Sequence, residues 1–237
     1  MVEKVVFTWS GGKDSAMALY ELEMNEGCDI IALLTTVTQD YDRVSMHGVR
    51  RSLLERQADS LRLPLEIMRI SKDAANEDYE AAMAGILIRY REQGVSRVVF
   101  GDIFLEDVRR YREDNLKKVG IEGLFPLWGR STLALAREFI DSGFKAVLTC
   151  VDSKYLDGSF CGRVYDERLL SGLPQGVDPC GENGEFHSFV YDGPLFREMI
   201  AHRKGKVVLR DNRFYYCDLT PVRSRKLQEG ALSKLPG

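Results

Sequence analysis

The chain has 237 residues, 44% of them hydrophobic and 29% charged, with a formal net charge of −3. That length buries a core without disulfide or metal staples, the acidic balance gives no global attraction to a phosphate backbone, and no apolar run is long enough to span a bilayer. Nucleic acid and membrane are therefore set aside as partners. The opening Met1-Val2-Glu3-Lys4 lacks the regions of a signal peptide, which predicts a cytoplasmic protein. The five cysteines, Cys28, Cys150, Cys161, Cys180 and Cys217, are scattered and never form Cys-x-x-Cys. Buried thiols are expected, not a disulfide framework or a zinc site.

Taken in chain order, β-branched runs predict strands at 4–7, 29–35, 64–70, 97–100 and 123–125, with helices at 14–25, 48–61, 74–93 and 106–119. Strand and helix alternate, as in βαβ units around a parallel sheet, so the fold class is α/β. In the first helix Ala16, Leu19, Tyr20 and Leu22 form an inward stripe, and Gly27, Gly94 and Gly120 each follow a helix where a left-handed terminator is favoured. Arg109, Arg110, Arg112, Lys117 and Lys118 alternate with Glu106, Asp107, Glu113 and Asp114, the pattern of a solvated helix face. After Phe125 the texture changes. One more helix (132–141) and strand (145–151) precede a stretch, 152–194, rich in Gly, Asp and Pro, whose length as an irregular connection points to function. Segments 206–210 and 213–219 flank Asp211-Asn212 as a β-hairpin, with Phe214, Tyr215 and Tyr216 packing in its second strand. The last fifteen residues read as a tail. The division expected is an ATP-binding domain at 1–125 and a smaller α+β, substrate-binding domain at 126–237.

Ser10-Gly11-Gly12-Lys13-Asp14-Ser15 sits where the first strand hands over to the first helix. Backbone N–H groups at a helix start are unpaired and partly positive, so a Gly-rich turn there cradles an anion. Gly11 and Gly12 permit close approach of the main chain, Ser10 and Ser15 add hydroxyl donors, and Lys13 adds charge. A helix cap with two turn glycines is the competing reading. The spacing is not that of the Walker A loop. The string resembles the loop of the N-type ATP pyrophosphatases, which cleave ATP between its α and β phosphates. That likeness implies an open parallel sheet of the adenine-nucleotide α-hydrolase (HUP, Rossmann-like) type.

A second constellation lies at Gly181-Glu182-Asn183-Gly184-Glu185-Phe186-His187-Ser188-Phe189-Val190, followed by Asp192, Pro194 and Phe196. Two glutamates three apart in a Gly-rich loop suit Mg²⁺, an ammonium group or general-base work, and spacing alone does not separate these from a capped turn and a solvated side chain. Asp102 stands at the carboxyl end of the strand at 97–100, where ligands bind in open α/β sheets, with helix capping as its rival. The segment from Gly181 is similar to the hallmark of the diphthine–ammonia ligase family, and Trp128-Gly129-Arg130, Asp157-Gly158 and Gly162-Arg163 also fall where that family has similar segments. Family members carry a histidine where His47 stands. Asn183 replaces the hallmark's second Gly and His187 its usual Glu, and this variant resembles the bacterial branch.

The resemblance implies an ATP-dependent ligase. A carboxylate attacks the α-phosphorus of ATP, pyrophosphate leaves, and ammonia displaces AMP to form an amide. Ser10, Gly11, Gly12, Lys13, Asp14, Ser15, His47 and Asp102 are then the expected nucleotide contacts, and Asp14 the expected Mg²⁺ ligand. Lys13 and Asp14 are expected to act on the phosphates, with Glu182, Glu185 and His187 lining the pocket for acceptor and ammonium. The acceptor is diphthine on elongation factor 2 or a small metabolite, one of cobalamin metabolism included, and a homodimer is left open. No glutamine-hydrolysing domain is foreseen, so free ammonia is the expected nitrogen source. A tRNA-thiolating enzyme using Cys150, Cys161 or Cys180, and an ATP sensor without turnover, are the alternatives.

Overall fold

The computed structural model describes residues 2–25 and 27–222, so the fifteen residues read as a tail lie outside it. Its first half runs β1 (Glu3–Thr8), α1 (Lys13–Met24), β2 (Cys28–Thr38), β3 (Arg43–Val44), α2 (Arg51–Leu61), β4 (Leu65–Ile70), α3 (Asn76–Glu92), β5 (Val95–Val99), α4 (Glu106–Lys118) and β6 (Glu122–Leu124). Parallel pairing joins β4 to β2, β2 to β1, β1 to β5 and β5 to β6, while β3 adds a short antiparallel pairing at Val37 and Thr38 of β2. The winding thus runs outward from β1 through β2 to β4, then returns to β5 on the other side. This reversal opens a crevice beyond the carboxyl ends of β1 and β5.

β1 is buried on both faces, as a central parallel strand must be. Val5 and Phe7 join one apolar cluster, and Val6 joins another with Leu87, Phe100 and Leu116 beneath α3 and α4. The helix expected from 48 starts at Arg51, because Gly48 has φ +68° and Arg50 is extended.

The second half runs α5 (Thr132–Asp141), β7 (Lys145–Asp152), α6 (Glu167–Ser171), β8 (Phe186–Asp192), β9 (His202–Arg210) and β10 (Phe214–Pro221). Its four strands pair antiparallel in the order β8-β7-β10-β9. Asp211 and Asn212 close the hairpin with φ of +51° and +50°. The reading of 152–194 as an irregular connection needs correction, since it contains α6 and the edge strand β8. The buried run Ser188-Phe189-Val190 follows directly on glycine-rich sequence, which hid its strand character.

The two sheets share one apolar core. Phe7, Leu19 and Leu33 belong to the same cluster as Phe139, Phe144, Leu148 and Phe189. α5 carries the contact: Phe139 stacks on Phe144 at 5.1 Å, and Tyr20 of α1 meets the Phe144 edge at 5.6 Å. Among the described residues, no helix is long and apolar enough to cross a membrane.

Candidate active site

A cleft of about 770 Å³ lies over the reversal at β1, lined by the ends of β1, β2, β4 and β5, by the loop after β3, and by the segment from Gly181 to Ser188. The two sequence motifs, some 170 residues apart, therefore meet in one cavity.

The phosphate loop is held from beneath. Gln57, fully buried on α2, donates to the carbonyls of Gly11 (3.1 Å) and Val190 (2.6 Å) and accepts from Trp9 Nε1 (2.9 Å). Val190 N–H also donates to the Gly11 carbonyl at 2.9 Å. Gly11 has φ +76°, and a Cβ there would meet Gln57 Oε1 at 2.7 Å, so only glycine fits. Gly12 is the N-cap of α1, and a Cβ on it would stand 3.1 Å from the Ser188 carbonyl oxygen and 3.2 Å from His47 Cε1. Lys13 N–H donates to Ser188 Oγ at 3.1 Å. No hydrogen bond from the Asp14 or Ser15 N–H is seen among the described residues, which leaves a helix start able to receive an anion.

Lys13 is buried, with Nζ 2.6 and 2.8 Å from the two Asp14 oxygens. Burial, the largest single influence, opposes the ammonium charge, but Asp14 together with Cys180 and Glu182 holds the Lys13 pKa above its usual value. Burial would likewise push the Asp14 carboxyl up. A third of that side chain is open to the cleft, however, and Lys13 sits on both oxygens, so the pair is ionic.

Glu182 Oε1 accepts from the Ile103 N–H at 2.8 Å just beyond β5. Burial pushes its pKa up to about 7, and the Asp14 and Asp102 charges add to the rise. Asp102 lines the cleft and pairs with Arg112 of α4, Oδ2 to Nε 2.8 Å. It is not the cap of α4, which is Leu105. Arg112 is thus more than part of a solvated face: it also packs over the Phe100 ring at 4.5 Å. Glu185 is turned away from the cleft. It is 1% exposed and accepts from Asp178 N–H, Asn183 N–H and Asn183 Nδ2, all at 3.0 Å, so it braces the loop that carries Glu182. The expectation that Glu185 lines the acceptor pocket is corrected accordingly, because its lone pairs are spent inside the loop.

His47 and His187 both line the cleft, their ring centroids 4.5 Å apart. Burial draws His47 down to about 4 and His187 well below its usual value. Sequence reasoning overlooked Ser188, Gln57, Arg112 and Gly101. A Cβ on Gly101 would lie 3.0 Å from the Asp14 carbonyl carbon, so β5 ends directly against the first turn of α1. A glycine closing a strand run before Asp102 was the available signal.

Fold and cleft together define a nucleotide-binding α/β protein of the PP-loop type. Models of the diphthamide synthase N-terminal and C-terminal domains match residues 3–123 and 131–218, and the chain belongs to that family. A diphthine–ammonia ligase of Danio rerio is 29% identical over 234 residues, covering 88% of this chain and 90% of its own. Those of Rattus norvegicus and Homo sapiens are 27% and 26% identical over 223 residues, each covering 84% of this chain and 83% of its own. Among solved structures, the U34-tRNA thiolase NcsA from Methanococcus maripaludis with its 4Fe-4S cluster is 19% identical, covering 58% of this chain and 56% of its own, at a TM-score of 0.36. With its family, the chain is an ATP-dependent amide-forming ligase.

Proposed function

We propose that this chain binds ATP with magnesium in the cleft at β1, adenylates a carboxylate and passes the acyl group to ammonia, with diphthine, the substrate in its relatives' name, as the acceptor. The observation that carries this reading is the meeting of the two motifs: Ser188 beside the family hallmark accepts from Lys13 of the phosphate loop, with Glu182 in the same cleft.

In the first step a carboxylate oxygen attacks the α-phosphorus and pyrophosphate leaves with the electron pair of the cleaved bond. The α1 start and Lys13 receive the charge on the departing group, because catalysis of this kind is mainly positioning and electrostatics. In the second step ammonia adds to the acyl carbon and AMP departs. Glu182, poised near neutrality, takes a proton from ammonium to give the nucleophile. Asp102, fixed by Arg112, stands at the wall of the nucleotide cleft, and Glu185 positions the Glu182 loop.

Magnesium fits as a metal carried in by the nucleotide. Among the described residues no three His, Cys, Asp or Glu side chains gather as a metal cage. A triphosphate-borne magnesium needs only one or two protein carboxylates. Asp14 is one-third open to the cleft and keeps lone pairs beyond those facing Lys13, so it would hold the ion directly or through water. When bound, the ion neutralises phosphate charge.

The thiolating alternative finds no support in the cysteines, since burial pushes Cys150, Cys161 and Cys180 each up to about 12, far from a thiolate at neutral pH. A small-metabolite acceptor is the second reading, favoured by His187 standing where the family usually has Glu. The test is AMP and pyrophosphate release with ammonium and either diphthine-bearing elongation factor 2 or a panel of small carboxylates. Turnover with the protein acceptor supports the first reading and turnover only with a small carboxylate supports the second. Binding of ATP with no AMP from any acceptor would favour a sensor, and robust turnover with glutamine in place of ammonium would refute the assignment of free ammonia.

A further inference from the structure

His47 reaches the cleft from the loop between β3 and α2, and His187 reaches it from β8. Their rings lie 4.5 Å apart with a tilt of 32°. His47 Cε1 is 3.2 Å from where a Cβ on Gly12 would sit, so the pair stands over the N-cap of α1, the end of a helix that attracts anions. Two imidazoles placed side by side at a phosphate cradle have no part in the two steps above.

We propose that the His47–His187 pair takes up one proton when the phosphate chain of ATP enters the cleft, and that the resulting imidazolium offsets charge on the departing pyrophosphate. This rests on the ATP-ligase reading. Without nucleotide both rings are neutral at pH 7. Burial is the main cause, with Lys13 adding to it for both and His47 adding to it for His187.

The neighbours leave this task to the pair. The Lys13 charge is taken up by Asp14 at the start of α1. At the two ends of the loop that carries His47, Arg43 of β3 and Arg50 before α2 are both tied to Asp218 of β10, at 2.9 and 2.8 Å. Across from His187 on β7, Cys150 is a neutral thiol, and against Gly48 stands Tyr216, a neutral phenol. Of the acids that line the cleft, Asp14 is paired with Lys13, Asp102 with Arg112, and Glu182 accepts from the Ile103 N–H. A phosphate chain brings several negative charges close to two buried imidazoles, which favours the charged ring. The pair holds one proton and not two, because two imidazolium rings at that separation repel. The one bond made is N–H on an imidazole nitrogen: the proton comes from solvent, and that bond breaks again when the proton leaves with pyrophosphate. By linkage, affinity for ATP rises as pH falls, up to about tenfold per pH unit where uptake is complete.

The chain has three histidines, and the third, His202, packs on Tyr191 and Phe189 outside the cleft. Calorimetry of α,β-methylene ATP with magnesium binding to the full chain, at pH 7 in two buffers of unlike ionisation enthalpy, counts the protons taken up. Wild type and His202→Gln are expected to take up about half to one proton more than His47→Gln or His187→Gln, with the two cleft variants binding several-fold more weakly. An equal proton count in all four proteins would overturn the pair's role and leave the ligase reading standing. Absence of binding by the wild type would overturn the ATP reading, and this inference with it. Should a variant fold poorly, imidazole NMR titration of the wild type decides: nucleotide must raise the pKa of two of the three rings, and no shift overturns the proposal.

Discussion

The Ser188 hydroxyl of β8 accepts the backbone N–H of Lys13 at 3.1 Å, linking residues 175 positions apart at the start of α1. One of the amides left over at that helix start is thereby satisfied by the second sheet, while those of Asp14 and Ser15 stay available. Ser188→Ala should cost about 1 kcal/mol in urea unfolding and weaken ATP binding several-fold. Unchanged affinity would separate the hydroxyl from the phosphate loop.

Asp14→Asn leaves the Lys13 ammonium buried without its partner. The variant should still fold, with a loss of about 2 kcal/mol, less than for a sealed pair because Asp14 is partly open. AMP formation should drop by about a hundredfold or more, as expected when a preorganised charge at the phosphates is lost. Near-normal turnover would move the site elsewhere.

Glu182, with its pKa raised to about 7, is protonated in acid and becomes a base as pH rises. Ammonia-dependent amide formation should therefore climb about tenfold per pH unit below neutrality and level off above it. In Glu182→Gln the whole profile should fall and lose that limb. The stability sign is opposite. The folded chain retains this proton above the ordinary glutamate value of 4.5, so wild-type stability relative to Glu182→Gln should decline between about 4.5 and about 7, then stay flat. Melting temperatures of the two proteins across that range check it.

Gln57→Leu fills the same space but strands the Trp9 indole N–H and removes a donor from the Gly11 and Val190 carbonyls. About 2–3 kcal/mol of stability should be lost, with ATP affinity falling alongside. A variant as stable as wild type would mean that the loop is held by other contacts.

Much of this architecture was legible because strand and helix periods differ so plainly in the first half. The helix at 132–141 and the parallel strands follow the apolar pattern, and the loop at Ser10–Ser15 announces itself by composition. What stayed hidden depended on long-range contact. Nothing near Gln57 in the chain marks it as a fully buried tie, since its three partners are Trp9 after β1, Gly11 of the phosphate loop and Val190 of β8. Arg112 sat in a run of alternating charges, and only the approach of α4 to the end of β5 singles it out for Asp102. Glu185 and Glu182 look equivalent in spacing, yet the turn at Gly181 and Gly184 sends one inward to backbone amides and the other to the cleft.

Phe7 and Leu19 share their core with Phe139, Phe144 and Phe189, so no water-filled seam separates the first half of the chain from the second. A chimera that joins the first half of one relative to the second half of another would bring mismatched aromatic surfaces together. A change of side-chain volume in either half is therefore felt by the other, and the two would have to be repacked together.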